Sequence, residues 1–188
     1  MIMERDKNRI CPVELAGSLD NKIRKWFQNP HKILASYIKE GMKVLDIGCG
    51  PGFFSMELAK MVGKDGKVFS VDLQEGMLEK IRNKIHGTEL EDRIKIIKSE
   101  GDQINIPVKV DFILAFYMVH EVPNKSRFFE VLKNSLNEKG QLLVVEPKLF
   151  HVTKKDFGLT MQIAEEAGFK VNQGPKLLLS FSAILTNN

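Results

Sequence analysis

Cysteine is scarce in this chain. Cys11 and Cys49 are the two present among 188 residues, too few for a disulfide framework. Apolar residues never run to about 18 in succession, so no membrane span is expected. The opening Met1-Ile2-Met3-Glu4-Arg5-Asp6-Lys7 lacks the apolar centre of a secretory signal, and a cytoplasmic protein is the expectation. There is no internal repeat and no low-complexity tract. Neither sign of charge dominates: 28 Lys and Arg stand against 24 Asp and Glu, for a net charge of +4. A hydrophobic fraction of 43% and a charged fraction of 28% are ordinary for a soluble globular domain. The length suits one domain with a sizeable core.

The small charge excess is unevenly placed. Residues 1–43 carry nine basic and five acidic side chains, and the remainder balances. A basic arm attracts anionic substrates or nucleic acid, and it equally describes a solvated helix face. No basic run interleaved with aromatics supports single-strand stacking, so nucleic acid is possible but not favoured as a partner.

What is present is a turn of alternating glycines. Val44-Leu45-Asp46-Ile47-Gly48-Cys49-Gly50-Pro51-Gly52-Phe53-Phe54 reads as a buried strand, a turn and a helix start. Glycine lets the backbone turn sharply and lets a ligand approach the main chain. The helix that follows points its unsatisfied N–H groups back at the turn. A loop of this kind holds a nucleotide-like cofactor at the carboxyl end of a parallel strand. The dinucleotide pattern G-x-G-x-x-G requires a small third residue for helix–strand packing. Phe53 occupies that place and is too large for it. Cys49, inside the turn, serves as a small residue.

A second strand, 67–72, ends at Asp72, twenty positions after Gly52. An acid there is placed to accept both ribose hydroxyls, or else to cap the next helix. Helices are expected at 20–28, 30–39, 53–63, 75–86, 124–137 and 153–167. Strands are expected at 43–47, 67–72, 93–98, 110–116, 140–146, 169–173 and 178–186. Alternation of the two argues for a doubly wound α/β sheet. Strand 110–116 is continuously apolar apart from Asp111, as suits burial on both faces of a parallel sheet. Strands one and four flank the switch point of such a sheet, so residues 115–121 should line the crevice. Asn172-Gln173-Gly174-Pro175 leaves no room for a helical crossover, so the last strand must run antiparallel to its neighbour.

Taken together, Asp46-x-Gly48-x-Gly50-x-Gly52, Asp72 and the spacing of the later acids resemble the class I S-adenosylmethionine (SAM) methyltransferases. Within that superfamily the chain is similar to the type 11 methyltransferase domains. The resemblance runs from about residue 20 to the end. It implies a three-layer, doubly wound, Rossmann-like sheet of seven strands, mostly parallel with an antiparallel last strand. It implies SAM as cofactor and S-adenosylhomocysteine as product. Carried residue by residue, it gives a cofactor site of Asp46, Gly48, Cys49, Gly50, Gly52, Asp72, Leu73, Gly101, Asp102, Gln103, Ala115 and Phe116. Asp102 would accept from the adenine amino group, and main chain at Ala115 and Phe116 would meet the methionine amino group. Tyr117, His120, Glu121 and His151 are the expected substrate-facing residues. If a general base is needed, the candidates near the crevice are His120, Glu121, Glu146 and His151, and His120 has the ordinary pKa that suits proton transfer near neutrality. Residues 1–40 form a helical lid segment on this reading, and 41–188 the SAM-binding domain. Trp26, Phe27 and His31 would face the substrate from the lid, or pack on the sheet edge.

No metal is expected. His120-Glu121 opens an H-E-x-x-H pattern, but Asn124 closes it wrongly for zinc. Asn/Asp-Pro-Pro-Tyr/Phe, typical of amine-directed members, is replaced by Ala115-Phe116-Tyr117-Met118. The expected partner is a small-molecule methyl acceptor. An RNA- or protein-directed methyltransferase, a nicotinamide-dependent reductase and a non-catalytic SAM-binding module are the alternatives.

Overall fold

The computed structural model describes residues 28–100, 104, 106–148 and 152–187. The expected helix at 20–28 therefore falls almost wholly outside the described residues. So do Trp26, Phe27, Gly101, Asp102, Gln103 and His151.

Seven strands form one sheet: β1 (Lys43–Ile47), β2 (Lys67–Asp72), β3 (Ile94–Lys98), β4 (Val110–Phe116), β5 (Leu136–Pro147), β6 (Phe169–Gln173) and β7 (Ser180–Asn187). Their order is β3-β2-β1-β4-β5-β7-β6. Strands β1 to β5 pair in parallel, and β7 runs antiparallel to both β5 and β6. This is the sheet that the sequence implies. The order reverses between β1 and β4, which places the switch-point crevice where those two strands end.

Period-two alternation sorts the strand side chains between two apolar layers. In β4, Phe112, Leu114 and Phe116 join one cluster, and Ile113 and Ala115 join the other. In β5, Leu143 and Val145 share the first layer, and Leu142 and Val144 the second. Helices α1 (Pro30–Leu34), α2 (Ser55–Met61) and α3 (Glu75–Ile85) cover the first face through Leu34, Leu58, Leu78 and Ile81. Helices α4 (Lys125–Ser135) and α5 (Lys154–Glu166) cover the second through Phe128, Phe129, Leu132, Met161 and Ala164. The stripe Met77, Leu78, Ile81, Ile85 shows why α3 forms: its apolar residues recur on one helical face. Asn124 caps α4 by accepting from the Arg127 N–H, and Thr153 and Asp156 form a capping box on α5.

Several boundaries shift from the expected ones. Helix α1 stops at Leu34, and the chain turns so that Ile38 is buried and Tyr37 stacks on Phe112. Helix α2 starts at Ser55, because Phe53 and Phe54 still belong to the glycine turn. Strand β5 starts at Leu136, which pairs with Val110 across a register shift, well before the expected position 140. Among the described residues, no helix is long and apolar enough to cross a membrane.

Candidate active site

The glycine turn is fastened to the end of β2. The N–H groups of Gly48 and Cys49 both donate to the Val71 carbonyl, at 2.8 and 3.0 Å. Gly48, Gly50 and Gly52 have φ of 66°, 52° and 85°, in the left-handed region where side chains are strained. At Gly48 there is also no room, since a Cβ would lie 2.8 Å from Cγ of Met118. At Gly50 a Cβ would meet nothing within 4 Å. Its main chain faces open space, which is what a ligand lying on the backbone requires.

Two buried carboxylates organise this turn. Asp46, at the end of β1, is 2% exposed, and its Oδ2 accepts from the Ser55 hydroxyl at 2.6 Å. Ser55 is fully buried at the first position of α2, so the pair ties the strand end to the helix start. Asp72 closes β2. Its Oδ2 accepts from the Gly50 N–H and its Oδ1 from the Gln74 N–H, both at 2.9 Å. Burial raises the Asp72 pKa above the usual carboxylate value, partly opposed by main-chain hydrogen bonds from Gln74, Gly50 and Leu73. Leu73 beside it is exposed. Burial, and then the charges of Asp46 and Asp72, push the Cys49 thiol well up. A thiol so placed keeps its proton and acts as a small filler, not as a nucleophile.

Across the crevice, β4 ends in an aromatic row. Phe116 lies 4.3 Å from Phe54 and 4.5 Å from Tyr117, ring centre to ring centre. Ala115 is fully buried and Phe116 nearly so. Tyr117 has a left-handed φ of 59°, an uncommon conformation for a bulky residue. Its N–H donates to the Val145 carbonyl at 2.8 Å. Its hydroxyl bonds Ser180 Oγ at 2.5 Å and accepts from Gln28 Nε2 at 2.7 Å. Strain at Tyr117 is thus held from three directions.

The 3-10 turn Val119–Glu121 follows. Nδ1 of His120 lies 2.6 Å from Oε2 of Glu146, while Oε1 of Glu146 accepts from the Val119 N–H at 2.9 Å. Glu146 is 2% exposed, near the end of β5. Glu121 Oε1 stands 3.9 Å from His120 Nε2. Burial acts to lower the His120 pKa. The hydrogen bond and charge of Glu146, with the charge of Glu121, outweigh it, and the net shift is upward.

Two groups of expected residues are therefore assembled: Asp46, Gly48, Cys49, Gly50 and Asp72 around one turn, and Ala115 to Glu121 beside Glu146. Met118, packed on Gly48, joins them. His31 lines a groove of about 540 Å³ with Gly52, Phe53, Met56, Lys60 and Lys84. Ser55, Gln28 and Ser180 carry no sequence signal of their own, although a serine opening the helix after the glycines is a place to look. Among the described residues, no group of three or more His, Cys, Asp or Glu is placed to hold a metal ion.

The family model described as a methyltransferase domain matches residues 38–177. A SAM-dependent methyltransferase from Aquifex aeolicus, known by crystal structure, is 30% identical with a TM-score of 0.79, covering 93% of this chain and 97% of that one. A methyltransferase structure from Methanococcus maripaludis superposes with a TM-score of 0.74 over 96% of this chain and 95% of its own, at 18% identity, and so shows the fold alone. A ubiquinone/menaquinone biosynthesis C-methyltransferase of Marinomonas sp. is 25% identical over 142 residues, which are 75% of this chain and 55% of that protein. A demethylmenaquinone methyltransferase of Bacillus mycoides is 27% identical over 112 residues, 58% of this chain and 46% of that one. The chain spans about half the length of these curated relatives.

Proposed function

Because the chain belongs to the methyltransferase-domain family, within the class I SAM-dependent enzymes, we propose that it transfers the methyl group of SAM to a small-molecule acceptor in the crevice where β1, β4 and β5 end. The observation that carries this reading is the joining of Gly50 to Asp72. A bare stretch of main chain and a buried acceptor carboxylate meet at the carboxyl ends of β1 and β2. The Asp72 oxygens accept the Gly50 and Gln74 N–H groups with the Leu73 N–H also acting on the carboxylate, and a carboxylate's roughly four acceptor sites leave capacity for a ribose hydroxyl. The residues therefore fit an adenosyl cofactor.

In this reading Gly48, Cys49, Gly50 and Gly52 wrap the methionine part, with Asp46 holding the turn through Ser55. Leu73 covers the base, and main chain at Ala115 and Phe116 receives the amino group. Gly101, Asp102 and Gln103 complete the adenine side. Tyr117, His120, Glu121 and His151 face the acceptor. The cofactor, when bound, supplies a sulfonium methyl ready for in-line displacement. The chain's own task is alignment and exclusion of water, and held geometry removes about 7–11 kcal/mol of barrier. Segment 1–40 closes the crevice as a lid, in keeping with the Gln28 hydrogen bond to Tyr117. The enzyme is placed in the cytoplasm, which fractionation of the source cells tests.

The quinone methyltransferases among the relatives support a small acceptor by their names. Phe53, 5% exposed where a nicotinamide-binding turn needs a small residue, opposes a reductase. Calorimetric titration with SAM, S-adenosylhomocysteine and NADH in parallel is the test. Micromolar binding of the two adenosyl ligands with NADH silent is expected. NADH binding with SAM silent would move the protein to the oxidoreductases.

A further inference from the structure

We propose that the turn at residues 177–179, between β6 and β7, is a lipid-contacting tip. Leu178 and Leu179 enter the interfacial layer of an anionic bilayer, and the lysines around them pair with its headgroups. This contact needs no membrane span, and it does not depend on which reaction the crevice performs.

Leu178 is 64% exposed and Leu179 52%, the highest values for large apolar side chains among the described residues. Single apolar residues on a surface are ordinary. Here two are adjacent, and the second is held at a cost. Leu179 has a φ of 56°, a left-handed conformation that glycine or asparagine adopts more readily than leucine. Neither packing nor backbone geometry therefore accounts for a leucine at this position. The main chain of the turn is also suited to a medium poor in water. The Leu177 carbonyl accepts from the Ser180 N–H at 3.4 Å, and the Leu179 carbonyl from the Lys148 N–H at 2.9 Å. The Leu178 carbonyl accepts from the Ser180 hydroxyl at 3.2 Å. All three oxygens are thus satisfied within the protein, and an unpartnered main-chain oxygen is what most resists entry into lipid. Leu177 packs against the first apolar layer and anchors the turn.

The charges nearby select the occupant. Lys176 precedes the turn and Lys148 is bonded to it, and both are exposed. Nζ of Lys148 stands 5.3 Å from the centre of the Phe181 ring. Phe157 of α5 stacks on that same ring, also at 5.3 Å between centres. The stack brings the start of α5 near the turn, and with it the exposed Lys154 and Lys155. Asp156, in the same stretch, is bound into the cap of α5. An apolar tip with four lysines on the segments around it matches an anionic bilayer, which buries the leucines and attracts the cations. A second copy of this chain seated tip to tip would bring like charges together, which is costly. Nucleic acid would answer the lysines but offers the leucines no apolar layer. Ser180, next in the chain, bonds the Tyr117 hydroxyl, so a bilayer on the tip lies beside the mouth of the crevice.

The test is co-sedimentation of the full chain with vesicles of mixed phosphatidylcholine and phosphatidylglycerol, beside vesicles of phosphatidylcholine alone. Binding to the anionic vesicles is expected, weaker at high salt, with little binding to the neutral ones. Leu178→Asp should lower the partition constant about tenfold or more, the loss of one buried leucine. Lys176→Gln should lower it about fivefold. Leu179→Gly separates the tip's role from the fold: it relieves the left-handed strain, so Tm should hold or rise while vesicle binding falls about tenfold. Absence of binding to the anionic vesicles overturns the proposal. So does binding that the two leucine variants leave unchanged, because basic residues elsewhere would then carry it. A wild-type dimer in light scattering that Leu178→Asp converts to monomer also overturns it, by assigning the tip to a second copy.

Discussion

Asp72 does two things at once, and its replacement separates them. Its carboxylate binds the Gly50 and Gln74 N–H groups, and in the proposed complex it also receives the ribose. A charged hydrogen bond contributes about 1.5–3 kcal/mol, so Asp72→Ala should weaken SAM binding tenfold or more by calorimetry. Unchanged affinity would remove Asp72 from the cofactor site. The glycines give a sharper contrast. Gly48→Ala drives a Cβ into Met118 and should cost stability in thermal unfolding. Gly50→Val projects into open space and should leave a protein that folds, with a left-handed strain of about 1–2 kcal/mol, but no longer binds SAM. A folded Gly50→Val variant with normal SAM affinity would contradict the turn's role. At this scale the sequence singles out residues by type and spacing and conceals what they touch. Asp46, Asp72 and His120 stand out by spacing. Their partners Ser55, the Gly50 N–H and Glu146 lie 9, 22 and 26 positions away. Tertiary packing alone brings them together, and no local pattern encodes it.

Elements were legible where apolar periodicity is strong and blurred where the backbone answers to something else. The stripe on α3 and the doubly buried β4 stand within a residue or two of expectation. Helix α2 starts two residues later than the pattern predicts, because the apolar Phe53 and Phe54 are buried from the turn and not from the helix. Strand β5 begins early because Leu136 finds a partner in Val110, a cross-strand event invisible in its own segment. Helix α5 has a start written in the sequence: Thr153 accepts from the Asp156 N–H, and Asp156 Oδ2 accepts from the Thr153 N–H. Replacing such a cap costs about 1 kcal/mol. Thr153→Ala should therefore lower Tm by about 2–4 °C in a chain of this size and leave SAM affinity alone. A loss of cofactor binding in that variant would mean that α5 reaches further into the site than its packing on the second apolar layer indicates.

At the scale of the whole molecule, the fold class followed from alternation and the glycine turn, and the antiparallel run of β7 from the missing crossover before it; the place of β7 between β5 and β6 is set by pairing that no single segment encodes. A ligand that binds only the native state stabilises it by about 2.7 kcal/mol at a concentration one hundred times its Kd. SAM at that excess should raise Tm by about 5–10 °C, and NADH should leave it unchanged; differential scanning fluorimetry reads both. The position of β7 in the sheet carries a consequence of another kind. It lies between β5 and β6 and holds them together by antiparallel pairing on both sides, although it follows both in the chain. During synthesis, β6 leaves the ribosome with no sheet to join, and β5 presents an unpaired edge until residues 180–187 arrive. A nascent chain waits with an open template for foreign strands, and translation pauses shortly before Ser180 lengthen that wait. The order of manufacture and the order of assembly thus run opposite ways in this sheet, and β7 is the strand on which closing of that edge depends.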